Sequence, residues 1–376
     1  MSGALSVISI SEHLNLLLQR QDLSAQQMTD LMQQIMSGQL TSAQIAAVLI
    51  ALRMKGESVT EITAAARVMR ALCTPVKSST DYLVDTCGTG GDGLKTFNIS
   101  TTSSLVAAAG GARVAKHGNR SVSSRSGSAD VLQAAGVNVQ LNAEQVARCI
   151  DVLGVGFLFA PHHHQAMKHA IGPRKELGVY TLFNLLGPLT NPANAPNQLL
   201  GVYDKRSLLP MAQVLRELGS RHVMVVHAQV GLDEISPSGI TYVAELKQGE
   251  ITQYELTPEQ FGLTSLPLAA IQVASVEESL TMMQGVLSYR PVRASQQLDK
   301  RQGHHGRARM PVNMTAVNSV LLNAGATLYV AGCAHSLKDG IAMAEDALTA
   351  GLAKEKFQNL VEMTQMIANQ HCQPPE

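Results

Sequence analysis

Residues 85–136 read DTCGTGGDGLKTFNISTTSSLVAAAGGARVAKHGNRSVSSRSGSADVLQAAG, and this stretch decides the fold. Leu83, Val84 and Asp85 read as the end of a buried strand, and Gly88, Gly90, Gly91 and Gly93 follow at once. Glycines at this density admit positive φ angles and let successive backbone N–H groups converge on one anion with no Cβ in the way. The run Asn98, Ile99, Ser100, Thr101 opens an alanine-rich helix ending at Gly110 and Gly111. Side-chain oxygens and free N–H groups at such a helix start form a second anion site, favoured by the helix dipole. A strand over 113–115 then presents Lys116, His117, Gly118, Asn119 and Arg120 at the same edge. Ser121, Ser123, Ser124, Ser126 and Ser128 precede a further helix. A small, highly phosphorylated ligand suits this two-part cradle. There is no G-x-x-x-x-G-K-[ST] loop, and no helical pattern follows the glycines closely enough for a dinucleotide fingerprint.

Outward from this stretch, the chain divides in two. Residues 24–74 carry three amphipathic helices: Ser24 caps the first, Thr41 starts the second, and Ser58 with Glu61 forms a capping box for the third. The stripe of Met28, Met32 and Met36 reads as core packing. From Tyr82 onward strands and helices alternate, with helices over 143–153, 208–218, 312–330 and 337–350 and strands over 155–159 and 223–226. That alternation predicts an α/β fold: a small N-terminal all-helical domain, then a larger domain whose mainly parallel central sheet is flanked by helices, with ligands at the carboxyl ends of the strands. Segments 242–246 and 251–254, around Gly249, predict a hairpin at the sheet's edge.

Lys+Arg and Asp+Glu balance at 29 each in 376 residues, so no global field draws nucleic acid. Five cysteines without C-x-x-C spacing indicate reduced thiols and a cytoplasmic setting. No positive charge precedes Arg20, which makes a poor signal peptide, and no apolar run approaches the ~18 residues of a membrane span. Residues 288–311 hold Arg290, Arg293, Lys300, Arg301, Arg307 and Arg309 against Asp299 alone, and read as a solvated loop or as a patch for an anionic partner. His162, His163, His164 and His169 lack H-E-x-x-H spacing and do not read as a zinc site.

The motifs GTGGD, NIST and KHGNRSVSSRSGSAD, followed by FAPHHHQAMKHAIGPRKELG, TLFNLLGPLTNP and GLDEIS, resemble the anthranilate phosphoribosyltransferase family over nearly the whole chain. The resemblance implies transfer of phosphoribose from 5-phosphoribosyl 1-diphosphate (PRPP) to anthranilate, in tryptophan biosynthesis. It implies a helical domain of residues 1–78, joined by a return over about 164–192, that makes a homodimer. Residues 79–163 and 193–376 would form the PRPP-binding domain, with the active site at the hinge and 288–311 as an insertion.

Carried over residue by residue, the resemblance places PRPP on Gly88, Gly91, Asp92, Thr96, Asn98, Ile99, Ser100, Thr101, Lys116, His117, Gly118, Asn119, Arg120, Ser121, Val122, Ser123, Ser124 and Ser128. It places anthranilate against Gly88, Asn119, His164 and Arg174, where a planar guanidinium can hold a carboxylate by two parallel bonds. Two magnesium ions per subunit would be held by Ser100, Asp233 and Glu234, since Mg²⁺ prefers one or two carboxylates together with substrate oxygens and waters. Where the family usually has Arg-Thr before its Phe-Asn motif, this chain has Tyr180-Thr181. No general base is assigned, and Cys87 reads as a packing residue. A pyrimidine-nucleoside phosphorylase and a non-catalytic, nucleic-acid-binding relative of the fold are the alternatives. The first would cleave nucleosides with free phosphate, and the second would carry a basic groove and degraded GTGGD or DE motifs.

Overall fold

The computed structural model describes residues 9–79, 81–120, 126–291 and 312–370. The expected phosphate ligands Ser121, Val122, Ser123 and Ser124, and the part of the basic segment over 292–311, lie outside them. Four helices open the chain: α1 (Ile10–Leu18), α2 (Ala25–Met36), α3 (Ser42–Lys55) and α4 (Val59–Leu72). Each starts at a reciprocal capping box, with Ser9, Ser24, Thr41 and Ser58 facing Glu12, Gln27, Gln44 and Glu61. The sequence reading missed α1 because only His13 and Leu17 are buried along it, too few to show a period. Met28, Met32 and Met36 lie in the bundle core, as expected of a packing stripe.

The larger part begins with β1 (Leu83–Gly88), α5 (Ile99–Ala109), β2 (Arg113–Gly118), α6 (Ser128–Ala134), α7 (Ala143–Leu153) and β3 (Val155–Phe159). The chain then returns to the bundle through α8 (Ala160–His163), α9 (Lys168–Leu177) and α10 (Leu182–Leu186), with α9 packed on α2 and α3 and α10 on α3 and α4. It re-enters the sheet as β4 (Asn197–Gly201), followed by α11 (Leu208–Glu217), β5 (His222–Ala228) and the hairpin β6 (Thr241–Lys247) and β7 (Glu250–Leu256). After α12 (Val276–Leu287), three helices, Met314–Ala331, Leu337–Thr349 and Leu352–Gln370, complete the described chain.

Strand order is β3-β2-β1-β4-β5-β6-β7; β3 through β5 are parallel and β6 and β7 antiparallel. The chain runs outward from β1 to β3 on one side and from β4 to β5 on the other, so the direction of winding reverses between β1 and β4. A crevice opens at the carboxyl ends of strands at such a point. Central β4 was not anticipated. Its five residues, NQLLG, are all buried, but two of them are amides and only Leu199 and Leu200 are apolar, too few to carry a period. One helix, Met314–Ala331, is long and apolar enough to cross a membrane by length and composition alone, but 89% of it is buried inside the fold, packed on α5 and the Leu337–Thr349 helix.

The bundle is pinned by Glu61, whose side chain is fully buried. It accepts Lys55 Nζ at 2.8 Å and the N–H groups of Leu23 at 2.9 Å and Ser58 at 2.8 Å. Lys55, its side chain 3% exposed, also reaches Asp22 at 2.6 Å. Truncating Glu61 leaves a buried ammonium and two N–H groups without it, so Glu61→Ala should cost about 3–5 kcal/mol of stability. Denaturant unfolding measures this, and Glu61→Gln, which keeps an acceptor oxygen for one of the two N–H groups, should lose less.

Candidate active site

The glycine loop leaves β1 beside the end of β4. Thr89 N–H donates to Gly201 O at 2.9 Å, and Tyr203 N–H donates to Thr89 Oγ1 at 3.2 Å. Gly90 and Gly91 take φ of +65° and +88°, a region costly for other residues, so their identity is set by the backbone. Added Cβ atoms at Gly88 and Gly201 would collide with Asp233. The three loops at the ends of β1, β4 and β5 therefore interlock around one acid.

Asp233 Oδ2 accepts Gly90 N–H at 2.8 Å, and Glu234 Oε1 accepts Ser100 N–H at 3.1 Å. Each half of the cradle thus gives a backbone N–H to one of two adjacent carboxylates. The loop is fixed from below by Asn323, which accepts Ile235 N–H at 2.9 Å and donates to Ile235 O at 2.8 Å. Burial, with Asp92 beside it, pushes Asp233 up to about 7. Burial and then Asp233 push Glu234 up to about 8, with Lys116 and the Ser100 N–H pulling the other way. Asp92, which accepts Leu94 N–H at 3.1 Å, is also raised by burial. So much buried negative charge beside N–H donors fits a hard dication that takes carboxylate oxygen. Among the described residues no group of three or more His, Cys, Asp and Glu could hold an ion by itself, so substrate oxygens or waters must complete any shell.

The helix start differs from expectation in one respect. Asn98 does not cap α5: its side chain instead donates to Ser126 O at 3.1 Å and accepts the hydroxyls of Ser126 at 2.8 Å and Ser279 at 2.7 Å. At the start of α5 the Ile99 N–H is taken by Phe97 O at 2.7 Å, and it is the Ser100 N–H that faces a carboxylate. Ile99 and Thr101 are buried in α5, and Thr96 pairs with Gln272 in an isolated bridge.

Lys116 is buried and donates to Thr86 O at 2.7 Å, so its charge acts from beneath the sheet edge. Fully buried Asp85 accepts His117 N–H at 3.2 Å; burial pushes its carboxyl above the usual range, opposed chiefly by Lys116. Cys87 is buried and its thiol is held well above the usual range by burial, which suits packing. Gly118 lies against Phe157 and Ser128 with no room for a Cβ. Asn119 accepts Arg120 N–H at 2.7 Å on its side chain, and Arg120 pairs with Asp130 at 3.0 Å and Gln133 at 2.6 Å. Ser128 Oγ donates to Asn119 O at 3.3 Å.

The histidines disperse. His163 Nδ1 lies 3.1 Å from Thr74 O, the His169 ring covers Gly38, and His162 packs on Phe159. His164 meets His117, ring centroids 5.2 Å apart. Burial drives His164 down to about 4 and His117 well below its usual range, so both are neutral at physiological pH. Arg174, on α9, packs over the Phe183 ring at 5.2 Å, and burial lowers its affinity for its proton. Among the described residues it has no acidic partner.

Sequence reasoning missed Arg53, Tyr203 and the use made of Tyr180. Arg53 Nη2 donates to Tyr203 Oη at 3.1 Å across a sequence separation of 150 residues, and nothing local signals it.

A family model described as glycosyl transferase family, a/b domain, matches residues 80–354, and one described as helical bundle domain of the same family matches 11–73. The anthranilate phosphoribosyltransferase of Thioalkalivibrio sulfidiphilus is 58% identical over 346 residues, 92% of this chain and 96% of that protein. The structure of the enzyme of that name from Thermus thermophilus matches with a TM-score of 0.82 at 39% identity, covering 94% of this chain and 99% of that one. The one from Saccharomyces cerevisiae, in complex with PRPP and Mg, matches with a TM-score of 0.81 at 27% identity, covering 95% and 98%.

Acids whose folded pKa is raised favour the folded state fully below their unfolded value near 4, and that contribution is lost as pH climbs through the folded value. With Asp233 at about 7 and Glu234 at about 8, the metal-free protein should lose thermal stability from about pH 5 to pH 8. The double variant Asp233→Asn with Glu234→Gln should flatten that slope, melt higher than wild type at pH 8 in chelator, and lose Mg²⁺ affinity by about 100-fold or more. Scanning calorimetry across pH and Mg²⁺ titration check both.

Proposed function

The chain belongs to the anthranilate phosphoribosyltransferase family, and from that premise we propose how its crevice divides the work between the two substrates. The enzyme transfers the phosphoribosyl group of PRPP to the amine of anthranilate, giving N-(5-phosphoribosyl)anthranilate and diphosphate. Nucleoside phosphorolysis is set aside by that membership. One observation carries the placement: the N–H groups of Gly90 and Ser100, one from each half of the cradle, converge on Asp233 and Glu234. The diphosphate of PRPP lies along Gly88, Gly91 and Asp92 and the start of α5 at Asn98, Ser100 and Thr101. The 5-phosphate lies toward Lys116, Gly118, Asn119, Arg120 and Ser128. Asp233, Glu234 and the Ser100 hydroxyl would hold two magnesium ions, which when bound neutralise charge on the departing diphosphate.

Arg174 takes the anthranilate carboxylate, which supplies the counter-charge it lacks. Asn119 lies between the aromatic amine and PRPP. His117 and His164, both neutral, add no positive charge to a site where the ribose C1 carbon becomes positive as diphosphate leaves. An aromatic amine is already neutral at physiological pH, so no residue is assigned as general base. The chain contributes position, fixed dipoles and exclusion of water. Leu18, Met54 and Leu72, exposed on the bundle, support a homodimer through this domain. The free thiols of Cys73, Cys87, Cys149 and Cys333 support a reducing cytoplasm, and the charge balance gives no reason to expect nucleic acid.

Loss of anthranilate fluorescence with PRPP and Mg²⁺ tests the reaction directly; a chain that leaves the signal unchanged does not have this activity. Arg174→Ala removes a charge-assisted bidentate pair and should cost about 1.5–3 kcal/mol, read as a higher KM for anthranilate. A defect confined to PRPP affinity would place the carboxylate elsewhere. Gly90→Val puts a β-branched side chain at a φ of +65° and should weaken PRPP binding at least tenfold, ~1.4 kcal/mol, beyond a ligand-free stability loss of about 1–2 kcal/mol from the backbone strain. Calorimetry with and without PRPP decides it, since equal ligand-induced shifts in the two proteins would mean an ordinary turn.

A further inference from the structure

We propose that Tyr180 is a positioning residue for the diphosphate site: its hydroxyl fixes the two peptide planes that flank Gly90, so that the Gly90 N–H meets Asp233 and the Gly91 N–H faces the anion. The proposal rests on the reading that the glycine loop receives diphosphate. Tyr180 lies just after α9, in the return from the bundle, far in sequence from the loop it touches. Its Oη stands 3.3 Å from both Thr89 O and Gly90 O, and it is the donor to either carbonyl. Its ring lies against Gly91, with Cε2 only 2.6 Å from where a Cβ would stand. Burial raises the phenol's affinity for its proton, so the hydroxyl remains a donor at any working pH.

A trans peptide is planar, with its C=O and N–H pointing in opposite directions, and no described peptide bond is cis. Turning the Thr89 carbonyl toward Tyr180 therefore turns the Gly90 N–H away from it, where it meets Asp233 Oδ2 at 2.8 Å. By the same geometry, the Gly90 carbonyl held by Tyr180 sends the Gly91 N–H to that side. The Gly91 N–H makes no hydrogen bond among the described residues. Glycines pass readily between positive and negative φ, so peptide planes between them flip easily unless something holds a carbonyl. Thr89 Oγ1 holds Gly90 O at 3.2 Å, but among the described residues only Tyr180 holds Thr89 O with a side chain.

The clamp is itself braced from both sides. The Tyr203 ring lies 4.2 Å from the Tyr180 ring with a 49° tilt, and its N–H ties to Thr89 Oγ1. Arg53, from α3 of the bundle, stands 5.8 Å from the Tyr180 ring centre and bonds the Tyr203 hydroxyl. One cation from the helical part thus steadies the aromatic pair that aims the phosphate loop.

Tyr180→Phe keeps the ring on Gly91 and removes only the donor. Its affinity for inorganic diphosphate with Mg²⁺, by titration calorimetry, and its KM for PRPP should worsen together by about three- to tenfold, as expected for one shared hydrogen bond. The KM for anthranilate, the affinity for ribose 5-phosphate and the thermal midpoint should stay at wild-type values. Unchanged diphosphate affinity, or an equal loss for ribose 5-phosphate, overturns the assignment. Gly90→Val separates the two levels. If it weakens diphosphate binding while Tyr180→Phe does not, the loop is the diphosphate site and Tyr180 does not aim it. If neither variant changes diphosphate binding, the placement of diphosphate falls and this role with it.

Discussion

Two adjacent carboxylates buried at the end of β5 set the terms for everything around them. Asp233 and Glu234 sit where the sheet's winding reverses, among backbone N–H donors from the glycine loop and the start of α5. A buried charge costs several kcal/mol unless it is met by partners, and here the partners are incomplete, so both acids cling to protons at neutral pH. That deficit is what a hard cation taking carboxylate oxygen would relieve. The absence of side chains at Gly88 and Gly201 lets the three strand ends close around Asp233, and Asn323 clamps Ile235 from the Met314–Ala331 helix.

On the bundle side the arrangement is the opposite. Arg174 is a cation without an acid among the described residues, and the imidazoles of His117 and His164 are held neutral by burial. Two buried acids that hold their protons on one side and a cation without an acid on the other make opposite electrostatic demands. The two sides come from different parts of the chain, since Arg174 rides on α9, packed on the bundle, while Asp233 and Glu234 ride on the sheet.

Much of this was legible in the residues. Dense glycine after a buried strand, a polar run opening a helix, and paired acids after another strand each have a local physical meaning. Ser24, Thr41 and the Ser58–Glu61 capping box marked helix starts to the residue, because a cap and its partner lie within one turn. The elements that were missed share the opposite property. In α1 two buried side chains cannot show a period, and β4 is five buried residues whose identity as a central strand depends on β1 and β5 lying beside it.

The sequence by itself determined the backbone chemistry of the phosphate cradle, the αβ alternation and the residue types available to each substrate, because φ preference, capping and hydrophobic period act over a few residues. Only the tertiary structure decided how those groups are used. That Asn98 turns from its helix to Ser126 and Ser279 follows from contacts made between segments far apart in the chain, and so does the burial of Lys116 beneath the sheet edge. The same is true of Tyr180, which reads as a mere departure from its family yet reaches back about ninety residues to the glycine loop. Charge burial and hydrogen-bond direction are properties of the packed whole, and no window of the sequence contains them.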